Sequence, residues 1–329
     1  MSFTKNIVGY AAGVTDALER LFFNAGSFLS PAPLIVAVLI AAFVLTLRQR
    51  KPGHSFSMRG LLTDLFPAVV WRHRSARQDL FIILINDGLL FFLPAVAAIA
   101  ISPLGALVTG VDAEAITPSP WKMALFGIYL ALVWDFFATF THYLKHKIPV
   151  LWEFHKVHHC AEVLTPLTAM RRHPVEIVIS SLIVGAGIAI ATTTWTVLFG
   201  APGSTIEVGG VALIVYLWRL LGYNIRHSHI WISYGPFWNR FVMSPAHHQL
   251  HHSREPRHYD CNFGHIFTFW DRLFGTLYQP VEGEAFEYGI EREENAELNT
   301  LGALYWRPLK RAAARFATGK TTPPVRPAE

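Results

Sequence analysis

The sequence predicts an all-α fold: a bundle of membrane-spanning helices carrying a helical cap on its cytoplasmic side. Three observations support this. Of the 329 residues, 52% are hydrophobic and only 16% charged, whereas soluble domains usually carry about 25% charged residues. Several apolar runs approach the roughly 20 residues that cross a hydrocarbon core of about 30 Å. Basic residues gather beside those runs and form no separate basic domain, so the pI near 9.2 reads as membrane topology and not as nucleic-acid binding.

Taken in order, residues 1–29 open with "MSFTKNIVGYAAGVTDALERLFF", where Asp16, Glu19 and Arg20 interrupt the apolar residues. That spacing predicts an amphipathic surface helix and not a removable signal sequence, which needs an unbroken apolar centre. Five spans are expected, at about 30–47, 80–101, 121–140, 176–199 and 206–223. Residues 30–79 form one unit, the first span followed by a basic loop. That loop holds Arg48, Arg50, Lys51, Arg59, Arg72, Arg74 and Arg77, so the bias of basic loops toward the cytoplasm places it inside. Counting crossings from there puts 102–120 and the turn near 201, neither with Lys or Arg, outside. It puts 141–175, with Lys145, Lys147, Lys156, Arg171 and Arg172, inside, together with everything after Arg226. Residues 281–329 read as a cytoplasmic tail whose end, from about 310, is basic and expected to be disordered. Two cysteines, Cys160 and Cys261, with no CxxC pair suggest neither a disulfide framework nor a thiolate metal site.

Sixteen histidines stand in this apolar chain, and the clustered ones fall on the side that topology assigns to the cytoplasm. His142 and His146 are four residues apart at the end of the third span, which puts both rings on one helical face. Asp135 lies two turns earlier on that face, placed either to orient a ligand ring or to be satisfied by a neighbouring helix. "HKVHH" offers His155, His158 and His159, and "HQLHH" repeats that spacing with His248, His251 and His252. One or two more imidazoles come from "NIRHSHI", His227 and His229. Clustered imidazoles that stay neutral are natural metal ligands. Eight to ten nitrogens exceed the four of a zinc site and suggest two ions, although imidazole alone would suit zinc, copper, iron or nickel. His54 and His73, in the basic loop, read as solvated or facing headgroups. A metal transporter would place ligands at mid-membrane, where only Asn86, Asp87 and Arg219 stand, with Asp135 nearer the histidine end.

"DFFATFTHYLKHKIPVLWEFHKVHH", "MRRHPVE" and "SPAHHQLHHSREPRHYDCNFGHIFTFWDRLFGTLY" resemble the fatty acid hydroxylase / sterol desaturase superfamily, with its HxxxH, HxxHH and second HxxHH boxes. The resemblance covers about 80–280 as a catalytic domain. It implies a non-haem diiron centre that uses dioxygen and electrons to hydroxylate or desaturate a lipid, with zinc able to occupy the site in isolated protein. It further implies His142, His146, His155, His158, His159, His248, His251 and His252 as ligands, with His227 from the last span. His229, His247 and His173 stand as additional ligands or supporting groups. Asn262 and Gly264 suit a turn, and Phe267, Phe269, Trp270 and Phe274 suit headgroup depth. Asp271 reads as an ion-pair partner of Arg272 or as a support to the ligands, and Tyr143 replaces an Arg common in the family. No flavin, nicotinamide or haem fingerprint is present, and "HPVE" is not HPGG. A soluble ferredoxin or cytochrome is therefore expected as electron donor. An inactive relative retaining structural zinc is the alternative, and which lipid is acted on is not legible.

Overall fold

The computed structural model describes residues 31–49, 56–90, 119–200, 207–208 and 211–318. The segment 1–29, most of the outer loop expected at 102–120, and His54 lie outside those residues. Three described helices are long and apolar enough to cross a membrane: α1 (Pro31–Gln49), α4 (Pro120–Lys147) and α6 (Pro174–Phe199). They match the first, third and fourth expected spans. On α1 the apolar residues Ile35, Leu39, Phe43 and Leu47 face outward while Ala37, Ala41 and Leu45 pack inward. An outward apolar stripe of that kind suits lipid and not water as the surrounding solvent. Short α2 (Met58–Leu65) folds back on α1, with the Ser57 hydroxyl accepting from the Gly60 N–H at its start.

The chain punctuates its helices with proline. Pro120, Pro149, Pro174 and Pro245 each sit in the first turn of a helix, where proline's missing N–H costs nothing. Pro149 also explains why α4 stops at Lys147 and α5 (Pro149–His159) starts afresh, because the residue before proline avoids the helical region. At 28 residues, α4 extends about 42 Å. That exceeds a hydrocarbon core of about 30 Å by about two turns, and His142 and His146 lie in the last two turns of the helix. α4 packs along α6 at a point where a Cβ on Gly187 would stand 2.3 Å from the Phe137 ring.

The second expected span begins as α3 (Arg74–Leu90), and residues 91–101 lie outside the described part. The fifth is corrected. Among the described residues, 206–223 is no continuous helix: β1 (Glu207–Val208) pairs antiparallel with β2 (Val211–Ala212). Helix resumes only as α7 (Leu213–Trp218) and a π-turn over Arg219–Tyr223. Eleven helical residues reach about 16 Å at most, half a bilayer.

The expected tail is corrected as far as residue 318, and residues 319–329 lie outside the described residues. After the short α9 (Phe269–Phe274), residues 301–318 form α10 (Leu301–Thr318), packed on α5 and α3, where a disordered basic end was expected from about 310. The cause is a buried carboxylate, since Glu153 on α5 is 1% exposed and needs counter-charges. Arg315 supplies one at 2.7 Å, Lys156 another at 2.7 Å, and Arg311 binds the adjoining Glu294 and Glu297. Ile82, Val157, Cys160, Ile290, Leu298 and Leu304 form the apolar core beneath this network. Arg171, Lys145 and Lys156, which entered the topology count as loop charges, are buried partners of Asp79, Glu176 and Glu153 respectively.

Candidate metal centre

α4, α5, the turn Ile225–His227 and α8 (Pro245–His251) converge on one buried volume, and the nine primary histidines divide there into two groups. His142, His146, His155, His159 and His251 form one; His158, His227, His248 and His252 form the other. Within each group one nitrogen per ring lies within 4.8 Å of every other. The groups adjoin, with the His159 and His252 rings stacked at a centroid separation of 4.6 Å. The HxxHH spacing explains the sharing: α5 sends His155 and His159 to one group and His158 to the other, and α8 with its cap divides His251 from His248 and His252.

Second contacts orient the rings. The Nδ1 atoms of His142, His158 and His251 face the backbone oxygens of Phe263 at 2.9 Å, Arg171 at 3.2 Å and Cys261 at 2.6 Å. A carbonyl only accepts, so each of these rings carries its hydrogen on Nδ1 and leaves a lone pair on Nε2. His155 Nδ1 lies 3.0 Å from Glu176 Oε1, which also accepts from Lys145 at 2.8 Å. His146 Nδ1 stands 3.4 Å from an Asp260 oxygen. The inward Nε2 atoms of His142, His155 and His251 are buried without a hydrogen-bond partner. In the second group the Nε2 atoms of His227 and His248 approach to 2.7 Å, and those of His227 and His158 to 3.2 Å. The second-group contacts can be bridged by ring hydrogens, but the unpartnered Nε2 atoms of the first group are buried lone pairs left without a donor, a cost that a cation among them removes. The donor set, neutral imidazoles backed by carbonyls and carboxylates, therefore fits metal ions. Burial holds His155, His158, His159, His227, His248, His251 and His252 well below the ordinary imidazole range, which keeps them neutral and able to ligate.

The supporting residues named from sequence do not join either group. His229 Nε2 meets the Asp64 backbone oxygen at 2.8 Å, tying the turn to α2. His247 caps α8, its Nδ1 2.9 Å from the Ser244 hydroxyl, and burial pushes its pKa down to about 3. His173 caps α6 by accepting from the Val175 N–H, and its Nε2 faces Tyr305 O at 3.0 Å. Asp135 touches no imidazole; it accepts from the Ile266 and Phe267 N–H groups and from Trp270 Nε1. Asp271 does not pair with Arg272: its oxygens accept from the Phe263 and Gly264 N–H groups at 2.7 Å each. Arg272 binds the Arg240 carbonyl. Asn262 (φ 57°) donates to the His247 carbonyl and accepts from the Tyr278 N–H. Gly264 is required because a Cβ there would stand 2.8 Å from both Asp271 Oδ2 and Phe267 O. Tyr143 packs on Phe263 and Phe274, and both cysteines are buried.

Sequence reasoning passed over Glu176, Asp260, Arg226 and His265. Glu176 stood in "MRRHPVE" and at the start of the fourth expected span without being given a role, because no local spacing links it to His155. Arg226 Nη2 lies 2.7 Å from His248 Nδ1. His265 lies beside His142, ring centroids 5.8 Å apart, and only its place in the aromatic motif hinted at that.

The fold and the site together define a helical chain with span-length apolar helices and two adjoining buried imidazole groups able to hold metal. More particularly, residues 127–276 match the family described as fatty acid hydroxylase, which bears out the resemblance carried by the three boxes. The chain is 26% identical over 170 residues to an alkylglycerol monooxygenase of Danio rerio, covering 52% of this chain and 32% of that protein. An ornithine lipid hydroxylase of Rhizobium tropici is 28% identical over 175 residues, covering 53% and 48%. A Delta(7)-sterol 5(6)-desaturase of Aspergillus fumigatus is 30% identical over 171 residues, covering 49% and 50%. The chain thus spans about a third to a half of the length of these relatives. No solved structure matches it.

Proposed function

We propose that this chain is a membrane-bound lipid oxygenase whose nine boxed histidines hold two iron ions, on the cytoplasmic side of the bilayer, and that it hydroxylates a lipid C–H bond. The observation that carries this reading is the pair of adjoining buried imidazole groups, with unpartnered Nε2 atoms turned inward in the first, at the C-terminal end of a span-length helix. The relatives whose names specify lipid hydroxylation or desaturation support it. An iron pair held there supplies the redox chemistry that activates dioxygen. The chain's own residues fix the ligand tautomers through Phe263, Arg171, Cys261 and Glu176 and keep water out. One oxygen atom enters the lipid as a hydroxyl; the other leaves as water, with two electrons and two protons from a donor. Desaturation starts from the same hydrogen removal and is the second outcome. In this reading a soluble ferredoxin or cytochrome supplies the electrons.

One observation favours a different occupant. The group of His158, His227, His248 and His252 has the ligand count of a zinc site, so an inactive chain holding zinc is the competing reading. Metal analysis together with reductant-dependent oxygen uptake separates the two. The oxygenase predicts iron, oxygen consumption and a lipid extract that gains one oxygen or loses two hydrogens by mass spectrometry. Tightly held zinc with no uptake when iron is supplied sinks the proposal.

A further inference from the structure

Beside the second histidine group, between α7 and the loop through Met243 and Ser244, lies a cavity of about 240 Å³. Leu217, Trp218 and Leu221 make its apolar side; Arg226, His248 and His265 line its inner end. Arg226 is 6% exposed, yet its Nε and Nη1 have no hydrogen-bond partner. The carboxylates that influence it, Asp135 and Asp271, direct their oxygens to the N–H groups of the 263–270 segment. The third donor, Nη2, faces His248 Nδ1. A neutral His248 that ligates through Nε2 carries its hydrogen on Nδ1, and then two donors would face each other. With the site loaded, the whole guanidinium therefore lacks an acceptor, next to further positive charge.

We propose that Arg226 anchors an oxyanion, carboxylate or phosphate, at the head of the lipid that occupies this cavity. The inference rests on the lipid-oxygenase reading. A guanidinium presents parallel donors that match such groups bidentately. Asp135 and Asp271 act on Arg226 only through space and the Trp218 and Tyr223 rings only by their faces, so none of them supplies the acceptor that its buried Nε and Nη1 lack. Ligand pockets usually measure about 300–1,000 Å³, so this smaller space takes the head and first carbons only. The rest of the chain leaves past Leu217 and Leu221, which are 41% and 53% exposed. The bond to be oxidised is then close to the charged head.

Calorimetric titration of the metal-loaded full chain in neutral maltoside micelles, with dodecanoate, dodecyl phosphate and dodecanol as probes, tests this. At least one anion is expected to bind roughly tenfold or more tightly than the alcohol. The tighter anion identifies the head as carboxylate or phosphate. Arg226→Gln is expected to bring both anions to the alcohol's affinity, and Arg226→Lys, which keeps the charge without the fork, to retain part of the preference. Equal binding of alcohol and anions by the unaltered chain overturns the proposal. So does a preference that survives Arg226→Gln with metal content and melting temperature unchanged. Should the Gln variant not fold, the comparison on the unaltered chain still decides. Oxygen uptake on the same preparation reports separately: turnover without anion preference sinks the anchor alone, and preference without turnover sinks the oxygenase alone.

Discussion

At the scale of single residues, the centre depends on groups that turn the ligands as much as on the ligands. Glu176 accepts from Lys145 and orients His155. Glu176→Gln removes the charge and keeps the shape, and metal affinity is expected to fall about 10-fold or more, read by titration against a competing chelator. Burial, with nearby cations and rings, holds seven histidines outside the spans well below 6.5. Between that depressed range and 6.5 the unfolded chain binds protons that the folded chain does not. Stability is therefore complete above about pH 6.5 and falls as pH drops, by about 1.36 kcal/mol per pH unit for each proton taken up. Thermal melts from pH 8 to 5 should show a progressive drop in midpoint; a flat profile would contradict the buried neutral cluster.

At the scale of elements, two contacts decide how the helices sit. Gly187 lets α6 approach Phe137 on α4, so Gly187→Ala is expected to cost about 1–3 kcal/mol through overpacking, seen as a lower melting temperature. α10 is held by charge, with Arg315 on the buried Glu153 and Arg311 on Glu294. Replacing both arginines by alanine leaves Lys156 as partner of Glu153, so the expected loss is about 1–3 kcal/mol; unchanged stability would mean that α10 is an ornament of the cap. The long apolar helices α1, α4 and α6 were legible from hydropathy, whereas the equally apolar run at 206–223 misled it. α10 was not, because its basic residues look solvated until Glu153, over 150 positions away in sequence, is brought beneath them.

At the scale of the molecule, the two groups predict two metal ions per chain. His251→Ala leaves four members in the first group and His158→Ala three in the second, so the latter is expected to lower the bound metal from two towards one while the former weakens binding with less loss. Elemental analysis of both variants against the unaltered chain checks this, and equal losses would mean a single shared site. The grouping was hidden in the sequence. The boxes showed that many imidazoles meet, but the alternation of HxxHH between two sets follows from how α5 and α8 face each other.

The sequence alone determined what needs only local pattern: apolar length marks the spans, i and i+4 spacing puts His142 and His146 on one face, and three boxes carry the family resemblance. The tertiary structure decided everything that joins distant segments. It divided the histidines between two groups, gave Asp135 and Asp271 to backbone N–H groups in place of imidazoles, and set Arg226 beside a cavity with its Nε and Nη1 lacking an acceptor. The physical reason is that a buried polar group takes whichever partner the packing brings within about 3 Å, and that partner is fixed by the fold and not by its neighbours along the chain.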